Sequence, residues 1–126
     1  MKLLLDTHCL IWALEDAPEL GAGARAIMAR ADEIAFSEAS VWEIGLKWRK
    51  GKIKLQPRRV FEQALQDGLR KLPLSIDSIL LSCELRHTHA DPFDRLLYAQ
   101  AKLLNYRLLS VDRTLNEFGA QVINPR

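Results

Sequence analysis

Short apolar runs alternate with longer amphipathic stretches along the whole chain. The apolar runs predict five strands, at 2–5, 34–36, 72–74, 107–111 and 121–123. The stretches between them predict helices at 7–14, 17–30, 37–50, 58–69, 76–85 and 93–104, and one helical turn opened by Asp112. Pro73 restricts the third strand to a sheet edge. Pro92 predicts a loop over 87–92, because proline disfavours helix in front of it.

The regular alternation of strands and helices predicts an α/β fold, in which a parallel sheet carries helices on its faces. A chain of 126 residues, 48% of them hydrophobic, has the size and composition of one globular domain spanning 1–126. The apolar runs fall short of the ~20 residues of a membrane span, and Asp6 interrupts the first run too early for a secretory signal. Cys9 and Cys83 match no disulfide or metal-binding spacing, which predicts reduced thiols in a cytoplasmic protein.

Four of the predicted strands are followed by a small polar residue. These residues are Asp6, Ser37, Ser75 and Asp112. Ligands of parallel α/β sheets bind at the carboxyl ends of the strands, which makes these positions candidate site residues. Capping of the following helix explains the two serines best. The two aspartates could cap a helix with one oxygen and still present the other to a ligand.

Glu43 lies on a narrow polar strip of the predicted helix 37–50, together with Ser40 and Lys47. Apolar residues flank the strip on both sides. This pattern predicts that the helix is buried on both sides, against the core and against another helix or subunit, so that the strip lines a crevice. The alternative is a surface ion pair between Glu43 and Lys47, four residues apart on one helix face.

Two further acids, Asp91 and Asp94, stand at the start of the predicted helix 93–104. The helix dipole alone could explain acids at this place. Asp6, Asp94 and Asp112, however, all belong to junctions that share one edge of a parallel sheet. Like charges held a few Å apart must take up protons or hold a cation. A hard divalent ion with oxygen ligands fits such a cluster.

Four ordered blocks of the sequence carry a family resemblance. They read MKLLLDTHCLIWAL, FSEASVWEIGLK, HADPFDRLLYAQA and LLSVDRTL. These blocks resemble the four motifs of the PIN domain, and more narrowly those of VapC-type toxins of bacterial type II toxin–antitoxin pairs. The resemblance implies a PIN-like three-layer sandwich, with a short central, mostly parallel sheet of about four or five strands flanked by helices.

The same resemblance implies an endoribonuclease that depends on Mg²⁺ or Mn²⁺. Its catalytic acids fall on Asp6, Glu43, Asp94 and Asp112. We expect the three aspartates to hold the ion, partly through water because Mg²⁺ sheds its waters reluctantly. The ion would activate the attacking water and offset charge on the phosphate, and Glu43 would orient or deprotonate that water. Possible accessory residues are Thr7, Asp91 and Ser110.

The partners implied by the resemblance are RNA, a cognate VapB-like antitoxin and a second copy of the chain in a homodimer. Seven basic residues and no acid lie between Lys47 and Arg59. Such a run is often only a solvated helix end and loop, but beside an acidic site it would attract phosphates. The candidate RNA contacts are Lys47, Lys50, Lys52 and Lys54. For Trp42 and Trp48, core or interface packing is favoured over base stacking.

Two other readings of single motifs are weaker. The stretch 87–91 resembles the HxHxDH signature of metallo-β-lactamase-like enzymes, but Pro92 replaces the last histidine. LLLDTH resembles the strand end of phospho-aspartate phosphatases, with His8 in place of the second acid. A PIN-like module that binds RNA or protein without catalysis is the alternative from another class. Apart from His8, the histidines are expected to lie away from the acids.

Overall fold

The computed structural model describes residues 1–86 and 89–126, and these form a parallel five-stranded sheet in the strand order β3-β2-β1-β4-β5. The strands are β1 (Lys2–Leu5), β2 (Glu33–Ser37), β3 (Arg70–Leu72), β4 (Arg107–Leu109) and β5 (Val122–Ile123). The predicted α/β class, the parallel sheet and the edge position of the third strand are therefore confirmed.

Helices cover both faces of the sheet. They are α1 (Thr7–Leu14), α2 (Gly21–Arg30), α3 (Glu38–Arg49), α4 (Pro57–Gln66), α5 (Ile76–Glu84), α6 (Pro92–Leu104) and the short α7 (Arg113–Asn116). Successive side chains of a strand point to opposite faces. Leu3 and Leu5 of β1 accordingly enter the core beneath α1, α2 and α4, while Leu4 enters the core beneath α6. This arrangement is the expected three-layer sandwich.

The sheet places the ends of β1, β2 and β4 at one edge. Leu5 lies opposite Leu109, and the backbone N–H of Asp6 donates to the Leu109 carbonyl at 3.1 Å. Ser37 ends β2 on the other side of β1. The residues that follow these strands must therefore meet at the same edge, which is where the sequence predicts the site.

Several element boundaries differ from the predictions for reasons of backbone chemistry. The predicted helix 17–30 is divided into a 3₁₀ turn (Pro18–Leu20) and α2, because Gly21 adopts φ +83° between them. The third strand ends before Pro73 instead of running through it, since proline has no N–H for the ladder. Pro92, predicted as loop, is the first residue of α6, where a missing N–H costs nothing.

A buried glutamine, which the sequence pattern does not mark, fixes the start of α3. The Ser37 hydroxyl donates to Oε1 of Gln100 and accepts from the N–H of Ala39. Nε2 of Gln100 in turn donates to the carbonyl of Pro73 at 3.1 Å. The end of β2, the middle of α6 and the segment after β3 are thereby joined, which sets where α3 leaves the sheet.

Both cysteines have free thiols, Cys9 buried and Cys83 exposed. In the two described stretches of the chain, none of the helices has the length and apolar character needed to cross a membrane.

Candidate active site

Asp6, Ser110 and Asp112 meet at the ends of β1 and β4. The Ser110 hydroxyl hydrogen-bonds the Asp6 carboxylate and accepts from the backbone N–H of Asp112 at 3.0 Å. Asp6 is almost completely buried, whereas Asp112 is exposed. Ser110, expected only as an accessory residue, therefore links the two aspartates of the neighbouring strands.

All four polar residues at the strand ends cap the helices that follow. Ser37 and Ser75 accept from the N–H groups of Ala39 and Ser78, as the capping explanation predicts. Oδ1 of Asp6 accepts from the N–H of Cys9 at 2.8 Å, and Oδ1 of Asp112 accepts from the N–H of Thr114 at 2.9 Å. In both aspartates one carboxylate oxygen is thus committed to the start of a helix.

Glu43 is held at the same edge by two neighbours. Its Oε1 accepts from the hydroxyl of Thr7 at 2.7 Å, and its Oε2 lies 3.1 Å from Nζ of Lys47. The Thr7 hydroxyl also lies 3.0 Å from Oγ of Ser40, so that α1 and α3 are joined beside the acid. The two interpretations of Glu43 prove compatible: it pairs with Lys47, yet it is buried, with 7% of its surface exposed.

Within this chain α3 is buried on one side only, so burial of its other apolar side against a second subunit stays a prediction. Trp42 and Trp48 are 54% and 42% exposed. The buried side of the helix instead contains Ala39, Ile44 and the polar strip itself. The strip faces inward because Thr7 and the strand ends supply polar partners for it there, which leaves the two large indoles toward solvent.

Asp94 lies in the first turn of α6 and is contacted by a histidine. Oδ1 of Asp91 accepts from the N–H groups of Phe93 and Asp94, so Asp91 is the N-cap of this helix. Oδ2 of Asp94 lies 2.9 Å from Nε2 of His89. The expectation that His8 alone approaches the acids is therefore wrong for His89. A signal for it existed, since His89 belongs to the same motif block as Asp94.

The three aspartates have different electrostatic surroundings. Burial raises the pKa of Asp6, against hydrogen bonds from Ser110 and Cys9 that lower it. Burial also raises the pKa of Asp94 to about 6; the His89 hydrogen bond opposes this, and the charges of Asp91 and Asp6 add to it. For Asp112, burial is outweighed by hydrogen bonds from Thr114, which hold its pKa below the usual value.

Asp6 and Asp94 are therefore two desolvated carboxylates, and the charge of Asp6 contributes to the raised pKa of Asp94. Within residues 1–86 and 89–126, no three His, Cys, Asp or Glu side chains form a group that could hold a metal ion by themselves. Mg²⁺ is commonly bound by one or two carboxylates, with water completing its shell. The oxygen donors at this edge fit such an ion, and the ligand set of Asp6, Asp94 and Asp112 stays a prediction.

The metallo-β-lactamase-like reading depends on His87, which lies outside the described residues. Its second histidine, His89, contacts Asp94.

Two clefts border α3, and the four predicted RNA-contacting lysines line them. A cleft of about 420 Å³ is lined by Glu43, Lys47, Lys50, Lys52, Asp91 and Phe93, among others. A second cleft of about 430 Å³ includes Thr7, His8, Glu15, Lys47 and Lys54. Lys47 belongs to both. The basic run of the sequence therefore borders the acidic edge of the sheet, as its proposed attraction of phosphates requires.

Comparison with known proteins decides the family. The family profile described as "PIN domain" matches residues 3–121, almost the whole chain. The chain belongs to the PIN domain family. The residues that carried the resemblance, Asp6, Glu43, Asp94 and Asp112, all lie within the matched part.

This PIN domain is similar to individual proteins over nearly its full length. It is 29% identical over 115 residues to "Ribonuclease VapC22" of Mycobacterium tuberculosis, which covers 90% of this chain and 88% of that protein. It superimposes with a TM-score of 0.67 on a "Toxin-antitoxin complex from Klebsiella pneumoniae", at 23% identity and 98% coverage of both chains. A structure of VapBC2 from Rickettsia felis bound to a promoter DNA fragment gives a TM-score of 0.70 at 19% identity, covering 98% of this chain and 96% of that one. The two structural matches confirm the PIN-like fold.

The raised pKa of Asp94 predicts that the metal-free PIN domain loses stability as the pH rises. Its carboxyl titrates near pH 6 in the folded chain, against an ordinary value of 3.8. The folded state therefore binds more protons between these values, and the free energy of unfolding must decrease as the pH rises through about 6. In EDTA, the free energy of unfolding measured with urea should decrease from pH 5 to pH 8. This decrease should be about 1–2 kcal/mol larger in the parent protein than in the Asp94→Asn variant.

The matched control for this experiment is Asp67→Asn, an exposed acid at the end of α4. It should keep the pH dependence of the parent protein. Equal pH dependence in the parent and in Asp94→Asn would contradict the assignment.

Proposed function

We propose that this PIN domain is a metal-dependent endoribonuclease that serves as the toxin of a VapBC-type toxin–antitoxin pair. One observation carries the proposal: the carboxylate of Asp6 is buried at the strand ends, and its charge helps to raise the pKa of Asp94. Basic clefts open beside this acidic edge. Two desolvated carboxylates next to a basic surface suit a site where a cation and a phosphate are bound together. The name of the ribonuclease relative agrees with this chemistry.

Asp6 and Asp94, with Asp112 through water, would hold Mg²⁺ or Mn²⁺. When bound, the ion supplies Lewis-acid activation of the attacking water and offsets negative charge on the phosphate. The protein prepares the ligands in advance. The N–H of Cys9 and the hydroxyl of Ser110 fix the Asp6 carboxylate, and the N–H of Thr114 fixes that of Asp112. These bonds favour the charged carboxylate, which is the form that binds a cation.

Glu43 would orient the attacking water or take its proton. The Thr7 hydroxyl holds one of its oxygens at 2.7 Å, and Lys47 pairs with the other at 3.1 Å. Because Lys47 lines both clefts, it is also placed to meet the phosphate of a bound RNA. The transfer of Lys47 from Glu43 to that phosphate would leave an oxygen of Glu43 for the water.

The toxin role adds protein partners, and the exposed indoles of α3 suggest where they bind. Trp42 lines a cleft of about 370 Å³ together with Leu74, Cys83 and the exposed Ile79 of α5. An apolar patch of this kind suits self-association into a homodimer. The structural relatives named as toxin–antitoxin complexes support a cognate antitoxin as the second partner.

Trp48 borders a different cleft, of about 430 Å³, between α3 and α4. Val41, Pro57, Arg58 and Phe61 also line it. Its mixture of apolar walls and one cation suits an amphipathic antitoxin segment that carries an acid. The two faces of α3 would then serve different partners, the Trp42 face a second copy and the Trp48 face the antitoxin.

Replacement of either central acid should abolish metal-dependent cleavage. In Asp6→Asn and Asp94→Asn, we expect RNA cleavage in Mg²⁺ or Mn²⁺ to decrease on the order of 10³-fold, because a carboxylate ligand is lost. Asp67→Asn, the exposed acid at the end of α4, should cleave like the parent. Cleavage is followed on purified protein with and without EDTA, and sequencing of RNA 5′ ends after induction in cells identifies the target. Binding of RNA without EDTA-sensitive cleavage by the parent would support the non-catalytic module instead.

Neutralisation of the basic clefts should weaken RNA binding and reduce its dependence on salt. For Lys50→Gln, Lys52→Gln and Lys54→Gln combined, the slope of log K against log salt should decrease in magnitude by about 2, since each lysine on a single strand contributes roughly 0.7. A matched triple variant replaces the exposed Arg30, Lys102 and Arg107, which lie toward the amino ends of the strands. Equal slopes in the two triple variants would contradict the binding of RNA in these clefts.

The two tryptophans give a matched test of the dimer. Trp42→Glu places a charge on the apolar patch beside α5 and should yield a monomer, because a buried unpaired charge costs several kcal/mol. Trp48→Glu carries the same change on the other side of α3 and should remain dimeric. Analytical ultracentrifugation of both variants distinguishes these results, and a dimer in Trp42→Glu would reject the assigned face.

A further inference from the structure

The imidazole of His89 lies directly against the Asp94 carboxylate. Nε2 and Oδ2 are 2.9 Å apart, and the two side chains are only 16% and 17% exposed. This distance is that of a hydrogen bond, and a donor to a carboxylate makes a stronger bond than one between neutral groups. Because the terminal torsion of an aspartate has only broad minima, the contact selects one orientation of the Asp94 carboxylate.

His89 is itself held from several sides. Its backbone carbonyl accepts from Nη1 of Arg95 at 3.1 Å. Its ring meets Phe118 edge to face, with the centroids 5.7 Å apart and the planes at 87°. Phe118 in turn stacks on Tyr98 of α6 at 4.7 Å, and the Tyr98 hydroxyl donates to the Phe118 carbonyl. The position of the imidazole therefore does not depend on its bond to Asp94 alone.

Arg95 connects the segment that carries His89 to the helix that carries Asp94. Besides the His89 carbonyl, its guanidinium donates to the carbonyls of Ser82 at 2.9 Å and Leu85 at 2.7 Å. A planar fork of donors can hold three backbone acceptors in one fixed arrangement, which a lysine could not do. Since Arg95 is the residue next to Asp94, the histidine and its target are fixed to one another through α6.

We propose that His89 is a positioning residue for the metal site, in which Nε2–H donates to Oδ2 of Asp94 and orients this carboxylate for a divalent ion. The inference rests on the proposed function, because it takes Asp94 to be a metal ligand. Partners of this kind, which contact a ligand and not the ion, typically change metal affinity by 10- to 100-fold. The role assigned to His89 is thus separate from ligation and from proton transfer.

Because His89 contacts Asp94 through Nε2, the proposal can be tested with variants that keep or remove a hydrogen-bond donor at this one position. In His89→Gln, the side-chain Nε2 has a similar reach along the side chain as the imidazole Nε2 and carries a donor. In His89→Asn, the donor lies where Nδ1 was and falls short of Asp94. In His89→Phe, the ring that contacts Phe118 is kept and the donor is lost. These three variants separate hydrogen bonding from packing.

Binding of Mn²⁺ alone, measured by electron paramagnetic resonance without RNA, is the main measurement. We expect His89→Phe and His89→Asn to raise the Kd for Mn²⁺ by about 10- to 100-fold, and His89→Gln to stay within about threefold of the parent. The thermal unfolding of all three in EDTA should show folded proteins. Electron spin echo spectra of bound Mn²⁺ should show the same nitrogen coupling in the parent and in His89→Gln, because His89 does not touch the ion.

Cleavage kinetics at saturating Mn²⁺ give a second readout. The loss in His89→Phe should be in kcat, with KM for RNA within about twofold of the parent, because the RNA contacts are untouched. Wild-type Mn²⁺ affinity in His89→Phe, or an equal loss in His89→Gln and His89→Phe, would overturn the inference. So would a nitrogen coupling that disappears in His89→Gln, which would make His89 a ligand.

Failure of the proposed function is distinguishable from failure of this inference. A parent protein that binds Mn²⁺ with the expected dependence on His89 but cleaves no RNA would overturn the ribonuclease and support the positioning role. A parent protein that binds no Mn²⁺ would overturn both.

Discussion

The desolvated carboxylate of Asp6 is the constraint around which the edge of the sheet is arranged. Burial raises its pKa, and the charge of Asp6 in turn helps to raise the pKa of Asp94. A charge in this position must be compensated, and two elements supply the donors: α1 through the N–H of Cys9 and β4 through Ser110. The start of α1 and the end of β4 are therefore as much a part of the site as the acids, since moving either would leave the Asp6 carboxylate buried without a donor.

The fold could be predicted from the sequence wherever one residue both ends an apolar run and fixes the backbone by capping a helix. Asp6 ends an apolar run and caps a helix, and β1 and α1 were predicted to the residue. The predicted ends of helices and strands were wrong where backbone hydrogen bonding, and not hydrophobicity, determines where an element ends. The third strand stops before Pro73, and Gly21 interrupts a helix that its alanine-rich sequence favours. Such positions depend on local φ and on missing N–H groups, which an apolar pattern does not report.

The candidate site, like the fold, could be predicted from the sequence only in part. The strand-end aspartates were predictable because a parallel sheet sends its carboxyl ends to one edge, and the polar strip of α3 pointed to Glu43. His89 could not be placed by the strand and helix pattern, although it belongs to the same motif block as Asp94. Its contact with Asp94 depends on where its own backbone lies, and Arg95 holds that backbone through the His89 carbonyl, a kind of contact that has no sequence signature. Gln100 was missed for a related reason, because one of its two partners is a carbonyl.

A module that only binds RNA or protein would have little reason to keep this arrangement. Replacing one of a pair of crowded carboxylates by an amide relieves like-charge repulsion and desolvation, so stability alone would select against Asp6 and Asp94 together. The chain instead surrounds them with donors that favour the charged form, and it buries Glu43 with Thr7 and Lys47 beside them. Groups whose burial lowers stability are concentrated at functional sites. The acidic edge is therefore best explained by a bound cation that restores in the loaded protein the stability that the metal-free protein lacks.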